Sequence, residues 1–146
     1  MNDSPRWTEV VRMLHEPSRS DLERIRELTR AEIAANRADD EIGCGNALYG
    51  LCVLLYLVGD PEDVALVHEA KFLNMDTGCM IDSFLLTMQR DRDTMMKMAV
   101  ELSNDRPRIV EAIAGAFTEP VEPDSIAGPL AYLGLEYPPS RRSPER

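Results

Sequence analysis

The chain has 146 residues, 44% of them hydrophobic and 29% charged, and carries a formal net charge of −10 at pH 7. That length suits one domain with a real core and leaves little room for two. The negative excess disfavours nucleic acid and anionic membrane surfaces, because like charges repel over a Debye length of about 8–10 Å.

Other global features point the same way. Cys44, Cys52 and Cys79 lack Cys-x-x-Cys spacing, which argues against a disulfide framework or structural zinc and for a reducing compartment. No signal peptide is legible, and the uncharged stretch 42–59 has a strongly apolar part only from Leu48 to Val58. A bilayer needs about 20 apolar residues, so a buried helix and a cytoplasmic, soluble protein are expected. Of the 16 cationic residues all but Lys71 and Lys97 are arginine, a bias read as source-genome composition.

Helical periodicity runs through nearly the whole chain. Trp7, Val10, Val11 and Leu14 share one face after Ser4-Pro5, where Ser can cap and Pro can open a first turn. Ser20 and Glu23 form a capping-box pattern ahead of Leu22, Ile25 and Leu28, in a helix expected to reach Ala38 with its arginines and glutamates on a solvated face. The third helix, about 46–58, is apolar all round and should be enclosed by others. Asp60-Pro61-Glu62-Asp63 is a strong helix start: an acceptor, a proline needing no donor, and acids at the positive end of the dipole.

Asp76 or Thr77 is then expected to cap a helix carrying Ile81, Phe84, Leu85 and Met88. Met95, Met98, Ala99 and Leu102 mark the next, with Met96 facing outward. Ile109, Val110, Ile113 and Phe117 mark a seventh, opened by Asn104 or Asp105 with Pro107 in its first turn, and Ile126, Leu130 and Leu133 a short last one. No segment alternates as a strand would. The fold class is therefore all-α: seven or eight helices of about 10–18 residues joined by short connections, as antiparallel bundles have. They form either a compact bundle around 46–58 or a stack of helical hairpins. The domain is expected to span 1–137, followed by a polar, disordered tail over 138–146.

The stretch LYLVGDPEDVALVHEAKF resembles the unit boundary of HEAT-like helical repeats, most clearly over residues 48–70. An apolar helix ends at Gly59, Asp60-Pro61 turns the chain, and Val64, Leu66, Val67 and Ala70 begin the next hairpin. The resemblance implies a scaffold that binds proteins or peptides and brings no catalytic residues.

The negative excess lies in two zones. Residues 60–82 hold Asp60, Glu62, Asp63, Glu69, Asp76 and Asp82 against Lys71 alone, and 109–137 hold Glu111, Glu119, Glu122, Asp124 and Glu136 without a cation. Asp60, Glu62, Asp63, Asp76, Asp82, Glu119, Glu122 and Asp124 are the expected contacts for another protein with a basic surface, since complementary potentials favour such pairs. The reading is a non-enzymatic binding protein of the bacterial cytoplasm, in its most concrete form an immunity or inhibitor protein. It has no cofactor, no metal site and neither nucleic acid nor membrane as partner.

Two alternatives stand beside it. Lys71, Asp76, Cys79 and Asp82 could line a small-ligand or enzymatic pocket with Cys79 as its thiol, although caps and packing explain these residues as well. A homo-oligomeric structural module is the other. His68-Glu69 with Asp76 and Asp82 matches no zinc spacing, and neither a phosphate loop nor a nucleophile elbow is present. The concentration of Met75, Met80, Met88, Met95, Met96 and Met98 could form an adaptable groove, but at helical spacing reads first as core.

Overall fold

A computed structural model describes residues 4–38, 45–122 and 124–135. Its helices are α1 (Trp7–His15), α2 (Leu22–Ala38), α3 (Asn46–Val58), α4 (Val64–Lys71), α5 (Met75–Met80), α6 (Arg92–Leu102), α7 (Ile109–Ala116) and α8 (Ala127–Tyr132), with 3-10 turns at Arg19–Asp21, Pro61–Asp63 and Ser83–Thr87. The described residues contain no strand, and the protein is all-α. Several helices are shorter than the sequence suggests, because turns interrupt them. The expected tail and Cys44 lie outside the described residues.

Every residue of α3 from Ala47 to Tyr56 is buried, and Leu48, Leu51, Leu54 and Leu55 are fully enclosed. Each such side chain stabilises the fold by about 1.5–3 kcal/mol relative to exposure, so α3 must be covered on all sides. It packs against α1, α2, α4 and the turn at 83–87, and the Tyr49 ring meets Tyr132 of α8 edge-on at 5.5 Å. This is the bundle around 46–58. α1 comes so close that a Cβ on Gly50 would lie 2.9 Å from Val10 Cγ1 and 3.1 Å from Leu14 Cδ1.

Polar groups pin the outer helices. Glu32 of α2, almost fully buried, accepts from Arg6 Nε at 2.7 Å and from the Ser4 hydroxyl. Ser4 thus ties the N-terminus to α2 while its Oγ accepts from Arg6 N–H at 3.0 Å, and Arg6, which offers no side-chain cap, immediately precedes α1. The expected box at Ser20 and Glu23 is replaced by Ser18, whose hydroxyl accepts from Ser20 N–H at 3.1 Å ahead of a 3-10 turn.

The helix expected to run on through Met88 is broken in two. Asn74, with Thr77 in reciprocal contact, caps α5; Asp76 lies in its first turn. Lys71 Nζ donates to the carbonyls of Gly78 (2.7 Å) and Ile81, ending α5 there. The chain then tightens into the turn at 83–87 and reverses through Met88 and Gln89, both left-handed at φ 52° and 57°. Ile81, Leu85 and Met88 still reach the core, so apolar spacing survives although the helix does not.

Asp91 caps α6, accepting from Thr94 N–H at 2.8 Å. Of its apolar residues Met95 and Ala99 are core, while Met96, Met98 and Leu102 lie half-buried against it. Neither Asn104 nor Asp105 caps α7; Arg108 precedes it without a side-chain cap. The methionines therefore divide between core and edge, with Met75 alone strongly exposed among those named.

Candidate functional site

The carboxylates of 60–63 are compensated from α2. Arg26, its side chain 14% exposed, forks onto Asp63, Nε to Oδ1 at 2.7 Å and Nη2 to Oδ2 at 2.9 Å. It also reaches Glu23 at 2.6 Å and Asp60 at 3.2 Å, with Glu62 at 3.9 Å. Arg19 bonds Asp60 Oδ1 at 2.8 Å and the Val58 carbonyl at 3.0 Å, and the Arg19 hydrogen bond holds the Asp60 carboxyl below its ordinary range. Asp63 Oδ2 accepts from Asp60 N–H at 2.8 Å, closing the turn.

Two expectations are corrected here. The acids of 60–63 are paired, and Arg26 is a half-buried clamp, where the sequence suggested a solvated face. A bidentate guanidinium on a buried carboxylate fixes both position and angle, so this cluster sets how α4 leaves α3. The tightness extends to Gly59, where a Cβ would lie 2.5 Å from the Leu55 carbonyl oxygen.

Around Lys71 the polar groups are likewise engaged. Burial lowers the pKa of Lys71, opposed by the nearby Asp82 charge, and its ammonium is held by two carbonyls. Asp82 Oδ2 accepts from the Tyr49 hydroxyl at 2.7 Å. Cys79 is exposed near the C-terminal end of α5, and Asp76 is exposed in its first turn. His68 makes a ring contact with Phe72 and lines a cleft with Arg106.

The second acidic zone is differently placed. Tyr49 and Tyr56 stand two turns apart on α3; Tyr49 holds Asp82, and Tyr56 meets Phe84 edge-on at 5.4 Å. Beside Tyr56 the segment 117–122 closes a cleft of about 490 Å3 with Thr87, Phe117, Pro120 and Val121 in its wall and Glu119 and Glu122 in its lining. Asp124 follows, its carbonyl accepting from Ala127 N–H at 2.9 Å at the start of α8. Glu119, Glu122 and Asp124 are exposed and form no ion pair among the described residues. Arg90, whose guanidinium also lines this cleft, donates to the carbonyls of Met88 (2.8 Å) and Gly59 (3.2 Å). Asp82 at the Tyr49 end and Glu119 and Glu122 at the Tyr56 end thus share one side of α3.

On another side, α2, α4 and the segment before α7 frame a cleft of about 480 Å3. Arg37, Arg106, Arg108, His68 and Phe72 line it, with Glu69 bridging Arg37 at 2.8 Å and Arg106 at 3.4 Å. Nothing in the linear pattern marks it, since its residues are far apart in sequence. Burial, then the Arg106 charge, pushes the His68 pKa below its ordinary 6.5 against the opposing pull of Glu69.

Among the described residues no group of three or more His, Cys, Asp or Glu side chains could hold a metal ion, and no helix is long and apolar enough to cross a membrane. Set against family models, curated proteins and solved structures, the chain matches none.

Arg26→Ala leaves Asp63 charged and buried without its partner, a loss of about 3–5 kcal/mol; urea denaturation should show a correspondingly lower midpoint. His68 gives a pH signature. Its folded pKa lies below 6.5, so its favourable share is fully present above that pH and is lost as pH falls toward the folded value, where the unfolded chain alone takes the proton. The melting temperature should therefore fall from pH 7.5 to pH 5.5 more steeply in the wild type than in His68→Gln.

Proposed function

We propose that this protein is a non-enzymatic, acidic helical module that binds another protein through that partner's basic surface, using the face that carries Asp82, Glu119, Glu122 and Asp124. The observation that carries the reading is that Glu119, Glu122 and Asp124 are exposed with no ion pair among the described residues, the first two in the lining of a cleft walled by Tyr56 and Phe117. Unpaired carboxylates project a field that steers a cationic partner, and the apolar wall supplies area to bury once contact is made.

Of the acids of residues 60–82, Asp60 and Asp63 support the scaffold through Arg19 and Arg26, Glu62 is exposed at 3.9 Å from Arg26, and Asp76 is exposed in the first turn of α5. An immunity or inhibitor protein that covers a cationic active site is the concrete form of this function, and a HEAT-like scaffold would suit it. The competing pocket around Lys71 and Cys79 is disfavoured, because the ammonium already serves as a helix stop and Cys79 lies near the end of a helix of only six residues. A cytoplasmic setting would suit three cysteines without Cys-x-x-Cys spacing.

The test is affinity capture from cells with wild-type protein and with Glu119→Lys/Glu122→Lys/Asp124→Lys. Basic proteins should be retained by the wild type, released by raised salt and lost in the triple variant. Retention of no basic protein, or equal retention by the triple variant, would contradict the reading.

A further inference from the structure

The cleft between α2, α4 and the start of α7 has a chemistry opposite to that of the acidic face. Arg37, Arg106 and Arg108 stand against Glu69 and Asp105, leaving one net positive charge in a protein of net charge −10. Glu69 already holds Arg37 and Arg106 on its two oxygens, so both guanidiniums are oriented by a carboxylate. Arg108 is exposed and has no ion pair among the described residues.

Two further features point to a ligand. His68 is only 8% exposed, and its Nε2 is buried without a hydrogen-bond partner. A buried polar atom left unsatisfied costs about 1–3 kcal/mol, and the imidazole lies in the wall of this cleft. Over it stacks Phe72, ring centroids 4.8 Å apart and tilted by 42°, yet 57% exposed. An exposed ring turns between rotamers rapidly, and in turning would uncover the imidazole.

We infer that this cleft binds a small monoanionic aromatic carboxylate, its carboxylate on Arg106 and Arg108, its ring against Phe72, and its polar edge within reach of His68 Nε2. The volume of about 480 Å3 falls in the range of about 300–1,000 Å3 typical of small-molecule sites. Guanidinium forks match a carboxylate in two parallel hydrogen bonds. The single excess positive charge suits a monoanion; a phosphate dianion would leave the cleft negative. A neutral His68 adds no further positive charge to the three guanidiniums. This site is independent of the acidic face.

The test follows the His68 ring protons by NMR while 4-hydroxybenzoate, a monoanion with a hydroxyl on its far edge, is added at millimolar concentration. A saturable shift is expected, with affinity reduced about tenfold or more in Arg108→Gln and in Phe72→Ala. Both side chains are exposed, so both variants should fold, and unchanged melting curves confirm that. No saturable shift, binding by either variant as tight as by the wild type, or equal binding of neutral 4-hydroxybenzyl alcohol would overturn the inference. The same shift produced by inorganic phosphate alone would overturn the aromatic carboxylate as the ligand.

Discussion

The structure depends on one constraint: α3 has no polar face. From Ala47 to Tyr56 every side chain is buried, so the helix forms a stable part of the molecule only if neighbours cover its whole circumference. α1, α2, α4, the 83–87 turn and α8 are arranged around that need. Where one of them must come close, the sequence supplies a small residue, as at Gly50 beneath α1. Where the chain must leave α3 and double back, it supplies Gly59 and the clamp of Arg26 on Asp63.

That clamp changes what the protein's charge means. A net charge of −10 suggests one broad acidic surface, but carboxylates differ in whether the fold has already used them. Asp63 and Asp60 are consumed in holding α2 against the α3–α4 junction, and Glu69 is consumed between two arginines. Glu119, Glu122 and Asp124 form no ion pair among the described residues, and Arg90, the guanidinium lining their cleft, is engaged by backbone carbonyls, so the acids keep a net negative potential. Coulomb attraction at a few ångströms in a partly buried site far exceeds the same attraction in water, so the paired group acts as structure and the unpaired group as surface.

The sequence made some of this legible. The limits of α3 follow from an uncharged stretch closed by Gly59-Asp60-Pro61, because burial and helix punctuation are both local signals. The break after α5 is not a local signal. Ile81, Phe84, Leu85 and Met88 keep helical spacing, but Lys71, ten residues before Ile81, takes the carbonyls that would continue the helix. Likewise the partners of Asp60 and Asp63 lie 34 to 41 residues upstream, and spacing alone cannot tell that Arg26 forks onto buried Asp63 while Arg24, two residues before it, forks onto Glu9 at the surface. The cleft at His68 draws on α2, α4 and the segment before α7, and no periodicity connects them.

The acids thus differ in kind: Asp60 and Asp63 are engaged by arginines inside the fold, and Glu119, Glu122 and Asp124 are available at the surface. Proton–nitrogen NMR spectra recorded while a short oligo-lysine peptide is added test this difference most directly, because both groups report in the same sample. Salt-sensitive shifts are expected at residues 117–125 and around Asp82, with the amides of 60–63 nearly unmoved. Shifts as large at 60–63 as at 117–125 would contradict it.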